Sequence, residues 1–256
     1  IVEILITNRW RGINMENNDV MHVTLAVWDP SGTYSRHAGA TIASILNNTQ
    51  SQVLFHILHD DTLTPDNREK LQQTACSLGS EMLFYNVAAE IEKHSSSDIA
   101  KMAGSFTLGT LFRIFLSNMV AVDKIIYLDC DIVVNIKIKK LWNVDISNNY
   151  IAAVEDFLLE EKVKNKSCFS HTRFCMKKLG LFPLKDYFNA GVALLNLKLI
   201  RETVDMTKAF ADFSTKYNGC TAFSDQDFLN IIFKDKKKLI DPHFNIPANY
   251  SKDITP

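Results

Sequence analysis

Two carboxylates, Asp129 and Asp131, close the stretch Lys124-Ile-Ile-Tyr-Leu-Asp-Cys-Asp-Ile-Val-Val-Asn135. Ile125 to Leu128 is a short apolar run rich in β-forming residues, which predicts a strand buried on both faces, as in a parallel sheet. On extended backbone, residues two apart project to the same side. The pair would then lie together in the crevice at the carboxyl end of the strand, where open α/β sheets bind ligands. Neighbouring negative charges disfavour one another unless something cationic neutralises them. Oxygen-only ligands suit a hard ion such as Mn²⁺ or Mg²⁺, which keeps open positions for substrate phosphates. The plainer reading of the same residues is a turn, because Asp is common where strands end.

The elements that must position such a pair follow from periodicity. His22 to Trp28, Val53 to Leu58 and Met82 to Tyr85 read as strands. Helices lie between them: one carries Ala38, Thr41, Ile42, Ile45 and Leu46, and the next opens at Thr64-Pro65, runs through Leu71 and Ala75, and ends at Gly79. Asp29-Pro-Ser-Gly32 is a turn after the first strand. This alternation predicts a parallel sheet with crossover helices. Leu108, Leu111, Phe112, Phe115, Leu116 and Met119 mark one periodic helix, with Arg113 off its stripe and expected in solvent.

Tyr150 to Val154 is a further strand, ending at Glu155-Asp156. From about 157 to 187 the pattern weakens, with Cys168 and Phe169 inside an excursion that includes a short helix before Gly180. Phe188 to Asn196 restores a strand, entered through Asn189 and Gly191. A long helix follows, with Met206, Phe210, Phe213 and Tyr217 on one face. Ser224-Asp-Gln-Asp227 begins the last clear helix with capping-box spacing. Lys234 to Lys238 is expected as a solvated turn, and Leu239 to Tyr250 as strand and loop. Ile1 to Ile6 fits a strand or a short helix, and Asn14 to Asp19 a polar turn.

Composition narrows the function classes. The chain has 256 residues, 46% hydrophobic, with a net charge of −1. That suits one α/β domain or two small ones, needs no disulfide staples, and gives no general case for nucleic-acid binding. Five cysteines, Cys76, Cys130, Cys168, Cys175 and Cys220, contain no C-x-x-C pair. The expectation is no zinc site, no disulfide framework and a reducing cytoplasm. No apolar run reaches the ~18 residues of a membrane span, and no signal peptide is visible. The chain starts at Ile1 and stops at Pro256, so both ends are expected to be cut, with residues 1–20 an extension of a single domain.

Three segments in this order, YLDCDIVV at 127–134, FNAGVALLNL at 188–197 and SDQDFLN at 224–230, carry a resemblance. The chain resembles glycosyltransferase family 8, the group of bacterial lipopolysaccharide galactosyl- and glucosyltransferases and glycogenin, from about residue 22 to 250. The resemblance implies a GT-A fold, α/β with a Rossmann-like, mainly parallel central sheet flanked by helices. It implies a UDP-sugar donor, Mn²⁺ or Mg²⁺, and transfer of glucose or galactose with retention to a saccharide acceptor, lipid-linked or on a surface glycan, in lipopolysaccharide-type synthesis. With the cysteine usage, a cytoplasmic protein is expected, associated with the inner face of the membrane peripherally if at all.

By the same resemblance Asp129 and Asp131 hold the metal on the diphosphate and Arg113 contacts the donor. Asn189 and Ala190 line the transferred sugar. Asp225 and Gln226 flank the anomeric carbon, and Asp156 faces sugar or acceptor. Tyr34 falls where an aromatic stacks on uracil, with Asp29 near the residue that reads the base. The bland alternatives are that Asn189 and Gly191 only shape the strand entry and Asp225 only favours a helix N-terminus.

The sequence departs from the family in two places. Trp28-Asp29-Pro-Ser-Gly-Thr-Tyr34 makes a longer nucleotide loop. The family's third metal ligand, a His, belongs to a segment expected beyond residue 256; His243 aligns upstream of it and is not assigned. Two other readings stand beside the transferase. One is a haloacid-dehalogenase-like phosphatase using the D-x-D pair; the other is a non-catalytic nucleotide- or glycan-binding relative.

Overall fold

The structure, a computed structural model, describes residues 20–93, 108–159, 163, 170–217 and 220–248. The expectations for Ile1 to Ile6, Asn14 to Asp19, Cys168, Phe169 and the end of the last segment at Tyr250 fall outside the described residues.

Seven strands form one sheet: β1 Met21–Val27, β2 Val53–His59, β3 Glu81–Asn86, β4 Lys124–Leu128, β5 Ile151–Glu155, β6 Phe188–Asn196 and β7 Lys237–Ile240. Their order is β3-β2-β1-β4-β6-β5-β7. β1 pairs in parallel with β2 and β4, and β2 with β3, as expected of strands joined by crossover helices. β6 runs antiparallel to both neighbours, β4 and β5. Its first residues therefore lie at the same edge of the sheet as the last residues of β4 and β5.

Alternation along the strands divides the core into two layers. In β4, Ile125 and Tyr127 pack on one face, and Ile126 and Leu128 on the other. The first face is covered by Leu111, Phe112, Ile114 and Phe115 and by the helices Met206–Tyr217 and Ser224–Ile232. Phe210 meets Phe228 edge-on with centroids 5.0 Å apart, and Phe213 meets it at 5.4 Å. Each such pair contributes about 0.5–1.5 kcal/mol beyond its buried area, and the pairs fix the second of these helices against its neighbour.

Several predicted boundaries hold. The helix Pro65–Ser77 is capped by Thr64, whose side chain accepts from Asn67 N at 3.2 Å, and Gly79 has φ +80°. Others are corrected. The single helix expected over Leu108 to Met119 is two short α-helical pieces, Leu108–Phe112 and Leu116–Met119, joined by a 3₁₀ turn at Arg113–Phe115. The long helix after β6 is likewise two, Leu197–Thr203 and Met206–Tyr217.

The basic run is a turn only in its first half, where Lys234–Lys236 forms a 3₁₀ turn with Lys234 exposed. Lys237 and Lys238 open β7, which pairs with β5, and their ammonium groups bond the carbonyls of Asp186 and Asp145. Ser224 does not cap its helix. The N-cap is Phe223, without a side-chain cap. Asp227 instead accepts from Phe223 N at 2.9 Å and Ala222 N at 2.8 Å, so one carboxylate satisfies two otherwise orphaned donors.

Candidate active site

The site forms where β1, β4 and β5 end and β6 begins. Parity sets the first contact: Asp129 follows Tyr127 on the same face of β4, and the Tyr127 hydroxyl donates to Asp129 Oδ1 at 3.1 Å. The Arg113–Phe115 turn lies over that face and drives the Arg113 side chain inward, where only 9% of it is exposed. This corrects the expectation of a solvated arginine. Apolar periodicity identifies which face of a helix packs on the sheet, but carries no signal for a cation buried by partners distant in sequence.

Arg113 is the hub. Its Nη2 donates to Asp129 Oδ1 at 2.9 Å and its Nη1 to the Ala190 carbonyl at 2.8 Å. Its Nε lies 2.9 Å from Asp225 Oδ2, although the N–H is not aligned for a hydrogen bond. Its guanidinium carbon sits 4.3 Å over the Tyr127 ring, a cation–π contact. Burial alone would lower the Arg113 pKa, but Asp225, Tyr127 and Asp129 outweigh it and hold the guanidinium charged. Asp225 is buried too, and burial pushes its carboxyl up against the pull of Arg113.

Beside the hub, β6 bulges. Pairing shifts between Ala153 and Glu155, so several β6 residues lie opposite few on β5. Asn189, Ala190 and Gly191 occupy this irregular stretch. Gln226 Oε1 accepts from Ala190 N at 2.9 Å, and Gln226 Nε2 approaches Asp156 Oδ2 and the Tyr187 hydroxyl, each at 3.3 Å. Asn189 Nδ2 also donates to Asp156 Oδ2, at 3.2 Å, while Asn189 Oδ1 accepts from Gly191 N and Asn245 Nδ2. Asp156, Asn189, Ala190, Asp225 and Gln226 thus join Arg113 and Asp129 in one connected network.

Sequence reasoning missed the support behind it. The Tyr187 hydroxyl donates to Asp227 Oδ1 at 2.6 Å, and Asn230 bonds both backbone groups of Phe188 at 2.9 Å. Asp227 and Asn230 lie inside the SDQDFLN segment, so that signal was on the page. Tyr127, between β-forming neighbours, reads only as core.

The two carboxylates of the D-x-D pair are not presented by one stretch of strand. The strand stops at Leu128, and Cys130-Asp131 is a turn, so the same-side rule for extended backbone does not govern the pair. Asp129 faces a cavity of about 270 Å³, shared with Trp28, Tyr34 and Arg113. Asp131 lines a groove of about 620 Å³, opposite His243 and Phe244. His243 Nδ1 lies 2.6 Å from Asp241.

Two observations bear on whether the pair fits a hard divalent cation. Arg113 and Tyr127 both bond Oδ1 of Asp129, leaving Oδ2 facing Gly191, where a Cβ would come within 2.6 Å of it. Asp131 is exposed. Oδ2 of Asp129 and the exposed Asp131 carboxylate have the hard oxygen chemistry for such an ion, without a closed cage around them. Among the described residues no three His, Cys, Asp or Glu side chains are grouped to hold a metal.

At the other end, Tyr34 lines the 270 Å³ cavity. Burial raises its pKa, and the charges of Cys130, Asp131 and Asp129 add to the effect. Asp29 is buried and turned inward: Oδ1 accepts from Tyr34 N at 2.6 Å and Oδ2 from Asn67 Nδ2 at 3.0 Å. Its carboxylate shapes the loop that presents Tyr34. Trp28, unassigned from sequence, lines the same cavity. Gly109 lets it close: a Cβ there would lie 2.7 Å from Trp28 Cβ.

Residues 28–255 match the model of glycosyl transferase family 8. The chain is 31% identical over 213 residues to a putative glycosyltransferase of Haemophilus influenzae, covering 83% of this chain and 60% of that protein. It is 25% identical to the lipopolysaccharide 1,3-galactosyltransferase of Salmonella typhimurium, covering 84% of this chain and 61% of that one. The chain thus spans about three fifths of the length of these two relatives. Among solved structures it resembles galactosyltransferase LgtC in complex with donor and acceptor sugar analogues, with a TM-score of 0.70, 24% identity, and coverage of 87% of this chain and 74% of that one. The mainly parallel, helix-flanked sheet is the GT-A fold.

Proposed function

The chain belongs to glycosyltransferase family 8, and from that premise we propose that it transfers glucose or galactose from a UDP-sugar to a saccharide acceptor with retention of configuration. Membership of this family removes the phosphatase alternative. The observation that carries the proposal is the convergence on Arg113: Asp129 and Asp225, from segments nearly a hundred residues apart, meet on one buried guanidinium, with Gln226, Asp156 and Asn189 alongside.

In this reading the 270 Å³ cavity takes the nucleotide, with Tyr34 stacking on the base and Trp28 closing the wall. Asp129 and Asp131 would hold Mn²⁺ or Mg²⁺. Such an ion, when bound, acts as a Lewis acid on the diphosphate oxygens. Arg113 adds charge-assisted hydrogen bonds to the donor, and its four present partners, Asp129, Ala190, Asp225 and Tyr127, hold it in place beforehand. Asp156 and Asn189 fix sugar hydroxyls.

Retention requires two inversions through a covalent intermediate or attack on the face the leaving group vacates. Retaining glycosidases take the first route with a carboxylate nucleophile. By the family resemblance Gln226, a neutral amide, would face the anomeric carbon, and Asp225 is buried against Arg113. Same-face attack is therefore the route proposed. Gln226 is held by Ala190, Asp156 and Tyr187, and the remaining lone pair of its carbonyl oxygen would face the positively charged sugar. A leaving diphosphate oxygen takes the acceptor proton. The acceptor is a saccharide, lipid-linked in the bacterial relatives' kind of synthesis. No described helix is long and apolar enough to cross a membrane.

A panel of UDP-hexoses, incubated with and without Mn²⁺ or Mg²⁺, tests the reading by release of UDP and by proton NMR of the new anomeric centre. Metal-dependent release from one hexose donor and an α-linked product are expected. UDP binding without turnover of any donor would make the chain a binding relative. A β-linked product would overturn retention.

A further inference from the structure

Cys175 and Cys220 are 45 residues apart in sequence, yet their sulfurs lie 3.1 Å apart. Both are free thiols. We propose that they form a modification site: a thiol pair that a small-molecule disulfide converts reversibly into an intramolecular disulfide. A bonded pair needs about 2.05 Å between sulfurs, so closure asks for a shift of only about 1 Å. The other described cysteines lack this arrangement. Cys76 is exposed, and buried Cys130 donates to the Ala26 carbonyl at 3.2 Å.

The two thiols differ in access, and the difference orders the chemistry. Cys220 is half-buried, in the loop after the helix Met206–Tyr217, with its N–H on the Tyr217 carbonyl at 2.9 Å. Cys175 is fully buried in the helix Ser170–Lys178. Burial, and then the bond to Cys220, raise its thiol to about 11, so it is protonated at rest. His171, one turn earlier on the same helix, has Nε2 3.6 Å from the Cys175 sulfur and can take that proton.

Cys220 thiolate attacks a reagent RSSR, forming Cys220–S–SR and releasing RS⁻, which takes up the proton that Cys220 gave to solvent. Cys175 then gives its proton to His171, and its thiolate attacks the Cys220 sulfur and expels a second RS⁻, which takes that proton from His171. In sum, two protein thiols are oxidised, one RSSR is reduced, and two RSH leave.

The bond would tie two segments that flank the active-site network. The Ser170–Lys178 helix belongs to a small satellite core with Leu159, Val163, Leu184 and Tyr187, against which Ala222 and Phe223 pack. Cys220 precedes those two residues, whose N–H groups are held by Asp227. The tie closes a long loop of chain, which stabilises by restricting the unfolded ensemble.

Oxidised glutathione, added to the folded protein and followed by alkylation and peptide mass mapping, tests this. Cys175 and Cys220 should be lost together, as one Cys175–Cys220 cross-link carrying no glutathione, whatever mixed disulfide forms on exposed Cys76. A reductant should restore them, and the cross-link should raise Tm by roughly 5–15 °C. Cys175→Ser should stop at a stable mixed disulfide on Cys220, and Cys220→Ser should leave Cys175 unmodified. His171→Ala should slow the second step at neutral pH without altering the first. A persistent mixed disulfide on Cys220 in the unsubstituted protein, a cross-link to another cysteine, or no reaction would each overturn the proposal. Release of one equivalent of zinc on denaturation, with both thiols shielded beforehand, would overturn it in favour of a metal site.

Discussion

Replacing Arg113 with Met keeps much of the side-chain volume and removes the charge that joins the site. Asp225, whose side chain is 9% exposed, then loses its cation, and Asp129 keeps only the Tyr127 hydroxyl. Removing one partner of a buried pair costs about 3–5 kcal/mol, and for a chain of this size each kcal/mol lowers Tm by about 2–4 °C. A fall of about 10 °C at neutral pH follows from these figures, together with loss of transfer activity by orders of magnitude. The cost should depend on pH, and the sign can be worked out. Burial already raises the Asp225 carboxyl while Arg113 opposes it; without Arg113 it rises further. A carboxyl whose folded pKa exceeds its unfolded value takes up its proton first in the native state, so native stability gains as pH falls through the folded pKa. The deficit of Arg113→Met should therefore shrink between neutral pH and about pH 5, and Arg113→Met with Asp225→Asn should show no such recovery. Urea unfolding followed by fluorescence at both pH values measures this. A deficit below about 1 kcal/mol at neutral pH, or one that is unchanged or larger at about pH 5, would refute the reasoning.

Three further outcomes are expected. Gly191→Ala places a Cβ within 2.6 Å of Asp129 Oδ2 and 3.1 Å of Asn189 Oδ1, so it should cut metal-dependent donor turnover at least tenfold while circular dichroism stays native; full turnover would show that Asp129 is free to move. Base–aromatic stacking contributes about 1–3 kcal/mol in nucleic-acid binders, so Tyr34→Ala should weaken UDP binding about tenfold or more in calorimetry, and unchanged affinity would leave Trp28 as the stacking wall. His22 Nδ1 lies 3.0 Å from His56 Nε2, and His56 Nδ1 lies 2.9 Å from the Tyr85 hydroxyl. Burial pushes His22 down to about 4 and His56 to about 3. Depressed folded values mean that stability is full above the ordinary histidine pKa and is lost as pH falls towards the folded values, about 2 kcal/mol for each imidazole by pH 5. His56→Gln should flatten the wild-type pH–stability curve between pH 7 and 5 by about half that combined loss, and parallel curves for the two proteins would contradict it.

The sequence by itself determined the alternation of strand and helix, because buried strands and crossover helices leave local apolar periods. It also marked the ends of β4 and β6 and the start of the Ser224–Ile232 helix as the chemical segments, since polar residues interrupt apolar runs at Asp129, Asn189 and Asp225. What these residues do to one another was decided only by the tertiary structure. β6 turns antiparallel and bulges, so Asn189 and Ala190 come to lie beside Asp129 and Asp156. The Arg113–Phe115 turn carries an arginine off the apolar stripe into the interior, where Asp129 and Asp225 compensate its burial. Asp29 shows the same division: its type and place suggest a ligand contact, and only the fold shows that Tyr34 N and Asn67 hold its carboxylate in the loop. Periodicity reports which side chains leave water, because burial recurs at each turn or pleat. A buried charge is held by partners dozens of residues away, and the pairing of those partners is fixed only when the chain folds.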